Sequence, residues 1–439
     1  MIRILQLYPA LLMVLCVGCH DQTTAPKQVS QLSARQAIST SSKMKSFACP
    51  SAPTVTVSDE ASLLAAIATA SPGAVIALRG MIGLSHNVFI TTPRVTLTCA
   101  APGAGLFALS PRVTVLVVVD VGGVGVAVEG LVLDASRAPP LPRGGLLGSP
   151  YFAGDFFGPG LPVPDVRFSN NTVACGPANC AFFDNTPGAQ ILNNSFTQGF
   201  ASVTGVHIQF EIGTGVWGTD FADSIRVQGN AVTTTAPSTY YRFGGIRVIG
   251  YRGAIIADNV VTGPWYNSLA LRFDTKSRVT GNRFESAAFN GILLGEPNDP
   301  FGNSVQHSVF KHNLVTGAGN AGIFANQACY NILVGNDLHG NAGNVGAIFA
   351  VTTGAYRFAG NGTSIVIDHG AFDCNGDGVN DPNMIVTGDG NDDENEIGDG
   401  QNDGRSNGQS DSKSVGVSGA WPRFGVRSAI IRRSRIVLQ

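Results

Sequence analysis

Histidine, arginine and carboxylate side chains recur at equivalent positions of short apolar segments in the centre of this 439-residue chain. Each segment has a small residue followed by an apolar–x–apolar triplet, as in Gly205-Val-His-Ile and Gly245-Ile-Arg-Val. Alternate residues of a β-strand face the same side, so the middle residue should face solvent when its neighbours face the core. The aligned segments predict an outward column made of Phe182, His207, Arg247, Ala270, Leu293 and Phe324.

A second outward column is expected two residues further along each strand. It would contain Asp184, Gln209, Ile249, Arg272, Gly295 and Asn326, with Glu211 and Asp274 just beyond it. Arginine or Ca²⁺ can neutralise a uronate carboxylate while a base removes a proton, whereas glycoside hydrolysis needs paired carboxylates. The candidate catalytic residues are therefore His207, Arg247, Arg272, Asp184, Glu211 and Asp274. These residue types leave open whether the protein is a polysaccharide lyase, a glycoside hydrolase or not an enzyme.

Aromatic residues precede several of these segments and should lie together at one corner of the predicted strands. An aromatic ring covers the apolar face of a sugar ring, while neighbouring polar groups bind its hydroxyl or carboxylate groups. A long aromatic insertion, residues 137–165, could overhang the same surface. The candidate substrate-binding residues are Tyr240, Tyr241, Trp265, Tyr266 and Asn326, with Phe289 on the same edge.

An asparagine followed by two residues of a short strand recurs along the centre of the chain and indicates a solenoid. Its intervals are 23, 36, 29, 23, 31 and 23 residues, so one rung has about 23 residues and longer rungs carry loops. Asparagine tolerates left-handed backbone, and its amide can bond the asparagine of the next rung. The repeated residues are Asn171, Asn194, Asn230, Asn259, Asn282, Asn313 and Asn336.

The start of the repeat reads as strand, helix and strand, with an amphipathic helix near residues 62–70 that could cap the open end of the solenoid. Together with the asparagine and Gly-Ile-x-Val rungs, this pattern resembles the right-handed parallel β-helix superfamily, with its pectate-lyase-like fold, over residues 53–370. The resemblance implies an all-β, right-handed single-stranded parallel β-helix that binds polysaccharide. It does not identify the reaction, because the Gly-His-Gly, Asn-Thr-Asp and Arg-x-Pro-x-x-Arg patterns of its best-known enzymes are missing. A non-catalytic surface adhesion or structural protein is the alternative.

The N-terminus resembles a bacterial lipoprotein signal. Arg3 precedes a mostly apolar stretch that ends at Gly18-Cys19, which predicts export and lipidation of Cys19. The stretch is shorter than a spanning helix requires, so contact with the membrane is expected through the lipid anchor only. A net charge of −2 and the lack of a basic stripe argue against nucleic acid as a partner. We expect a monomer in the bacterial cell envelope, anchored in the outer membrane and either periplasmic or surface-exposed.

These features predict five consecutive regions. Residues 1–19 are the signal peptide and lipobox, 20–50 a flexible tether, and 51–372 the β-helix. Residues 373–412 form an acidic segment rich in Gly and Asp, and 413–439 form a tail whose structure the sequence does not indicate.

Six cysteines follow the signal sequence, and export favours their oxidation. Six cysteines allow 15 pairings, which the sequence alone does not distinguish. Proximity along the chain favours Cys49–Cys99, Cys175–Cys180 and Cys329–Cys374.

One short segment has the spacing of a Ca²⁺ loop. It places oxygen ligands at its first, third, fifth and ninth positions, and a glycine at the sixth. The loop resembles those of dockerins and thrombospondin type 3 repeats, although Met384 stands where the twelfth-position acid usually lies. The candidate Ca²⁺ ligands are Asp373, Asn375, Asp377 and Asp381.

Overall fold

The computed structural model describes a repeating array of short parallel strands in the first of the chain's two units, residues 1–390. The described residues are 47–110, 112–136, 149–156, 161–199, 204–209, 222–238, 244–295, 305–341, 348–354, 357–359, 365–371 and 384–386. Within these ranges lie one helix, α1 (Glu60–Ala68), and 35 strands, numbered β1 to β35 along the chain. None of the described helices is long and apolar enough to cross a membrane.

Almost all of the strands belong to three parallel sheets. Sheet A contains β1 (Val55–Val57), β2 (Val75–Leu78), β5 (Thr96–Cys99), β8 (Ala127–Glu129), β11 (Arg167–Ser169), β14 (Gln190–Leu192), β18 (Arg226–Gln228), β22 (Ile255–Ala257), β25 (Arg278–Thr280), β28 (Val309–Lys311), β31 (Ile332–Val334), β33 (Arg357–Ala359) and β35 (Met384–Val386). Sheet B contains β3 (Met81–Leu84), β6 (Gly105–Ala108), β9 (Val132–Asp134), β12 (Thr172–Ala174), β15 (Ser195–Gln198), β19 (Ala231–Thr234), β23 (Val260–Thr262), β26 (Arg283–Glu285) and β29 (Leu314–Thr316).

Sheet C carries the predicted outward columns. It contains β4 (Val88–Ile90), β7 (Val115–Val119), β10 (Ser149–Ala153), β13 (Ala181–Asp184), β16 (Val206–Gln209), β20 (Gly244–Ile249), β24 (Asn267–Arg272), β27 (Asn290–Leu294), β30 (Ala321–Cys329), β32 (Ile348–Gly354) and β34 (Ile365–Ala371). Two further short strands, β17 (Ala222–Asp223) and β21 (Tyr251–Arg252), pair with each other.

From β2 to β31 the chain visits the sheets in the fixed order A, B and C, so each of these rungs adds one strand to each sheet. Val279 pairs with Ile256 in sheet A, and Ile292 pairs with Leu269 in sheet C, in both cases 23 residues apart. β-Branched residues suit these strands because their side chains pack well on a pleated surface. The inward positions form one continuous buried core along the axis. The all-β parallel solenoid predicted by the repeat is therefore confirmed.

The repeated asparagines form a buried ladder at the corner between sheets A and B. The Oδ1 of Asn259 accepts hydrogen bonds from the backbone N–H and the Nδ2 of Asn230, at 3.0 and 2.9 Å. Its own Nδ2 donates to the backbone oxygen of Val227 at 2.8 Å and to Oδ1 of Asn282 at 2.9 Å. The same pattern links every rung of the repeat from Asn171 to Asn336.

The ladder confirms one of the two reasons expected for asparagine, the amide bond to the next rung, and corrects the other, a left-handed backbone. The left-handed residue of each corner is the one before the ladder, such as Asp258 (φ 54°) and His312 (φ 53°). The ladder asparagines themselves are not among the described residues with positive φ. Asparagine is needed there because one amide can both accept from the previous rung and donate to the next. Buried polar groups are thereby satisfied at each turn.

Helix α1 covers the N-terminal end of the core. Asp59 caps it by accepting from the Ser62 N–H at 2.8 Å, and the Ser62 hydroxyl lies 3.3 Å from the Asp59 N–H in a capping box. Leu63 is fully buried, and Leu64 and Ile67 pack against the same core. The predicted cap is present, although it begins two residues earlier than the sequence suggested.

Two disulfides join cysteines that the sequence pairs by proximity. Cys49 bonds Cys99 at the N-terminal end, and Cys175 bonds Cys180 within one corner of the solenoid. Cys329 is also disulfide-bonded, whereas Cys374, its predicted partner, lies outside the described residues.

The C-terminal boundary of the β-helix differs from the predicted one. Sheet A continues past residue 372, where the β-helix was expected to end, because β35 pairs with β33.

Candidate functional site

The first outward column of sheet C has the register that the sequence predicts. Each residue pairs directly with the next, so the column runs along the axis of the solenoid. Neighbouring strands lie about 4.8 Å apart, which brings side chains on adjacent rungs within contact distance. The confirmed order is Phe182, His207, Arg247, Ala270, Leu293 and Phe324.

Strand pairing also confirms the second outward column for four of its predicted residues. Asp184 pairs with Gln209, Gln209 with Ile249, and Ile249 with Arg272. The Gln209 Nε2 donates to the Asp184 Oδ1 at 3.3 Å. Asn326 lies two residues beyond Phe324 on β30 and is 6% exposed. The alternation of a strand was therefore sufficient to place these side chains on one face.

His207 lies in an enclosed position beside an arginine. Its ring packs on Phe182, with centroids 4.7 Å apart, and its Nδ1 lies 3.3 Å from the Nδ2 of Asn179. Burial, and secondarily the positive charge of Arg247, hold the pKa of His207 well below its usual value. The imidazole is therefore neutral at physiological pH. Its Nε2 is buried and has no hydrogen-bond partner among the residues that the structure describes.

Arg247 and Arg272 lie on adjacent rungs, one in each outward column. Each is only 8% exposed although both belong to outward positions. The Arg272 guanidinium carbon lies 5.0 Å from the centroid of the Phe273 ring. Strand spacing places the two Cα atoms roughly 8 Å apart along a diagonal of the sheet. Two guanidinium groups and a neutral imidazole thus occupy three consecutive rungs, a combination suited to carboxylate oxygens.

Asp274 does not have the environment predicted for a hydrolytic carboxylate. It is fully buried, and its Oδ1 accepts from the Tyr251 N–H at 3.0 Å. The Oδ2 has no hydrogen-bond partner in the described part of the chain. Burial raises the pKa of Asp274 well above its usual value, against the smaller lowering effect of two backbone hydrogen bonds. The correction follows from desolvation, which favours a neutral carboxylic acid at this position.

Asp184 and Asp274 also fail to form a close carboxylate pair. Three rungs separate the strand of Asp184 from that of Arg272, which places the backbones about 14 Å apart. Two aspartate side chains are too short to reduce this distance to the roughly 5 Å of a retaining glycosidase. The third predicted carboxylate, Glu211, lies outside the described residues.

Trp265 is a core residue, and its prediction as a sugar-stacking residue is wrong. It is 1% exposed and belongs to the buried core of the solenoid. Its Nε1 donates to the backbone oxygen of Thr262 at 3.1 Å. The sequence does not predict whether a tryptophan after a glycine–proline corner is buried in the core or exposed to solvent. Gly245 packs beside Trp265 without a side chain, since a Cβ there would lie only 2.2 Å from Val261 Cγ1.

Tyr266 does lie at the surface, in contact with a second aromatic residue. Its ring centroid is 4.8 Å from that of Phe289, which is 37% exposed. Partial burial raises the pKa of the Tyr266 hydroxyl. The pair belongs to adjacent rungs at the corner before β24 and β27, so an aromatic surface adjoins sheet C as expected.

Apolar side chains close the N-terminal side of the columns, a feature that the sequence analysis missed. Phe152 pairs with Phe182 and Val118, continuing the first column toward the N-terminus. Phe156, from the insertion, packs edge-on against Phe152 with centroids 5.2 Å apart. Residues 149–153 of the predicted insertion form strand β10 of sheet C, so this part is a rung and not an overhanging loop. The signal for it was the run of aromatic residues at outward positions of consecutive rungs.

Several predicted residues cannot be compared with the structure because they lie outside the described ranges. The residues outside these ranges are Cys19, Glu211, Tyr240, Tyr241, Asp373, Cys374, Asn375, Asp377 and Asp381.

Among the described residues, no group of three His, Cys, Asp or Glu side chains could hold a metal ion.

Comparison with known proteins agrees with this architecture. A family model described as a right-handed beta helix region matches residues 197–363. No curated protein matches the sequence.

Among solved structures, the chain is similar to the Dettilon tailspike protein gp208, with 12% identity and a TM-score of 0.44. The match covers 70% of this chain and 63% of the tailspike, so it spans less than two thirds of that protein. It is also similar to the A-module of the Azotobacter vinelandii mannuronan C-5 epimerase AlgE6, with 13% identity, a TM-score of 0.35, and coverage of 69% and 71%. An alginate lyase from a Paenibacillus species has 12% identity, a TM-score of 0.33, and coverage of 68% and 99%.

Similarities this distant do not indicate what the chain binds. Its own strand pairing, in which three parallel sheets share one core, defines the fold, and the family model agrees with it. The described part of the chain has a right-handed parallel β-helix fold, and residues 197–363 match the family model of the right-handed beta helix region.

Proposed function

We propose that the outer face of sheet C binds an acidic polysaccharide. The observation that carries this proposal is the position of His207, Arg247 and Arg272 on three consecutive rungs of one face. Guanidinium groups bind carboxylates through charge-assisted, often bidentate hydrogen bonds. A strip of such groups along the axis suits a linear polymer that carries carboxylates at intervals.

The enclosure of the arginines supports this proposal. Both arginines are 8% exposed, so a carboxylate bound by them would lie largely out of solvent. Electrostatic attraction is stronger in such a low-dielectric position than on an open surface. The Tyr266–Phe289 pair would add an apolar surface for a sugar ring at the edge of the sheet.

The described residues favour binding over cleavage. Asp274 is fully buried with a raised pKa, and the Asp184–Asp274 pair is too far apart for a retaining hydrolase. Eliminative cleavage needs a base beside the neutralised carboxylate. His207 could accept a proton at Nε2 only if its Nδ1 carried the hydrogen. The neighbouring Asn179 Nδ2 lies 3.3 Å from Nδ1 and favours the opposite form, with the hydrogen on Nε2.

Binding can be tested with the full chain and a panel of polyuronates, including alginate and polygalacturonate, beside neutral glycans. We expect binding of at least one polyuronate and none of the neutral glycans. Arg247→Ala or Arg272→Ala should weaken binding about 10-fold or more, since a hydrogen bond to a charged group is worth about 1.5–3 kcal/mol. Isothermal titration calorimetry measures the change.

Arg278→Ala is the matched control, because Arg278 begins β25 on sheet A and is exposed there. It should bind like the wild-type protein. Equal losses from the Arg278 and Arg272 variants would mean non-specific attraction and would contradict a site on sheet C. Release of unsaturated or reducing-end products, followed in the same samples, would show that the protein also cleaves the bound glycan.

We further propose that the protein acts in the cell envelope, anchored through Cys19, and that residues 373–381 bind Ca²⁺. The signal-like N-terminus and the ligand spacing of that loop support these two points. Metabolic labelling with a radioactive fatty acid should mark the wild-type protein and not Cys19→Ser. Equal labelling of both would place the lipid elsewhere.

A further inference from the structure

The residues before β13 form a small closed loop beside His207. The Cys175–Cys180 disulfide closes it, and both cysteines are buried. The Cys180 N–H donates to the Gly205 oxygen at 2.8 Å, and the Gln198 Nε2 donates to the Ala178 oxygen at 3.1 Å. The disulfide loop, residues 175–180, is thus closed by its own covalent bond and held to the next rung by hydrogen bonds.

Asn179 is the residue of this loop that contacts His207. Its Oδ1 accepts from the Thr204 backbone N–H at 3.2 Å. That bond identifies the oxygen of the amide, because a backbone N–H donates only. The other amide atom is therefore the NH₂ group, and it donates to His207 Nδ1 at 3.3 Å. Both partners of Asn179 belong to the following rung.

This arrangement determines which ring nitrogen of His207 carries the proton. A neutral imidazole has one N–H and one acceptor nitrogen. Because Nδ1 accepts from Asn179, the hydrogen must be on Nε2. The Nε2–H is then a buried donor with no acceptor among the described residues. An unsatisfied buried donor costs about 1–3 kcal/mol, so an acceptor supplied by a ligand would be favoured there.

We propose that Asn179, held by the disulfide loop, is a positioning residue that keeps His207 in the Nε2–H form, so that His207 donates to a carboxylate oxygen of the bound glycan. The identity of the ligand rests on the function proposed above. The protonation form of the His207 ring does not depend on that function. In this arrangement His207 is a hydrogen-bond donor to the substrate and not a base.

The disulfide contributes by restricting the loop. Asn179 is next to Cys180, so the bridge limits the positions from which its amide can reach the ring. Opening the bridge would let Asn179 leave His207 and allow both neutral forms of the ring. Recognition of the glycan would then depend on the oxidising environment in which exported proteins function.

Nitrogen-15 NMR of labelled protein reports the protonated ring nitrogen directly, with His207→Gln used to assign the signal. We expect wild-type His207 to show the Nε2–H form at neutral pH. Asn179→Asp keeps an acceptor for Thr204 but replaces the donor to Nδ1 with an acceptor. The variant should therefore move the proton to Nδ1 and raise the pKa of His207. An unchanged ring in Asn179→Asp would overturn the proposal.

Cys175→Ser/Cys180→Ser should give a mixture of the two ring forms. Cys49→Ser/Cys99→Ser, which removes the other described disulfide, should leave the His207 signal unchanged. Equal behaviour of the two double variants would show that the disulfide loop has no positioning role. The folded state of each variant is checked by its circular dichroism spectrum.

Glycan binding supplies the second readout. Wild-type binding should not change as pH passes through the usual histidine range, because the Nε2–H form persists there. Asn179→Asp should bind about 10-fold more weakly above the raised pKa of His207, where an Nε2 lone pair faces the carboxylate, and recover below it. If the ring forms behave as expected but no polyuronate binds, the proposed ligand is wrong and the positioning role stands.

Discussion

Asn259→Leu is expected to lower the free energy of unfolding by about 4 kcal/mol or more, one of the largest effects available from a single substitution. The Asn259 side chain makes four hydrogen bonds, to the backbone N–H and Nδ2 of Asn230, the oxygen of Val227 and Oδ1 of Asn282. All of these groups are buried, and each unsatisfied polar group costs about 1–3 kcal/mol. Urea denaturation measures the loss.

The control is Thr172→Ala, an exposed residue one position after the ladder residue Asn171. It should change stability by less than about 0.5 kcal/mol, as is usual for surface positions. Hydrogen exchange should show that loss of protection in Asn259→Leu begins at the rungs next to residue 259, since each rung of a solenoid is stabilised by its neighbours. Uniform loss, or none, would contradict a local role of the ladder.

Asp274→Asn is expected to stabilise the protein at neutral pH. The folded-state pKa of Asp274 is raised, so its contribution to stability is fully present below the unfolded pKa and is lost as pH rises toward the folded value. Within that window each pH unit changes the free energy of unfolding by about 1.4 kcal/mol. Asparagine keeps the acceptor for Tyr251 without the charge. The gain over wild type should therefore be small near pH 4 and grow with pH.

Asp337→Asn serves as a control of opposite sign. A hydrogen bond from His339 lowers the pKa of Asp337, an exposed residue, so its contribution is present above the unfolded pKa. This variant should not gain stability with increasing pH. Thermal denaturation from pH 4 to 7 compares both variants with wild type. A stability difference for Asp274→Asn that is constant over this range would show that Asp274 stays ionised in the folded protein.

The Asn259→Leu and Asp274→Asn substitutions both change a polar group that is buried in the solenoid. The ladder satisfies the buried amides of its own asparagines by placing the same residue at the same corner of each rung. Asp274 leaves one carboxyl oxygen enclosed without a partner among the described residues. A solenoid that retains such a group beside the face of sheet C carries a cost in stability, and costs of this kind concentrate at functional sites. The glycan experiments address that face directly.

The sequence alone determined the repeat, the strand register and the two outward columns. These features depend on local periodicity, because a strand alternates its faces every residue and a rung repeats about every 23 residues. The sequence therefore places His207 and Arg247 on adjacent rungs, where the structure has them. The Cys49–Cys99 and Cys175–Cys180 bridges also agree with proximity along the chain.

Burial and hydrogen-bond partners were decided only by the tertiary structure. Trp265 turns into the core and Asp274 is enclosed, yet neither fact is visible in the residues that surround them in sequence. Asn179 meets His207 across 28 residues because the disulfide loop and the next rung lie side by side. Periodicity specifies which way a side chain faces along a strand. What covers it, and which nitrogen of an imidazole carries its proton, depends on residues that only folding brings into contact.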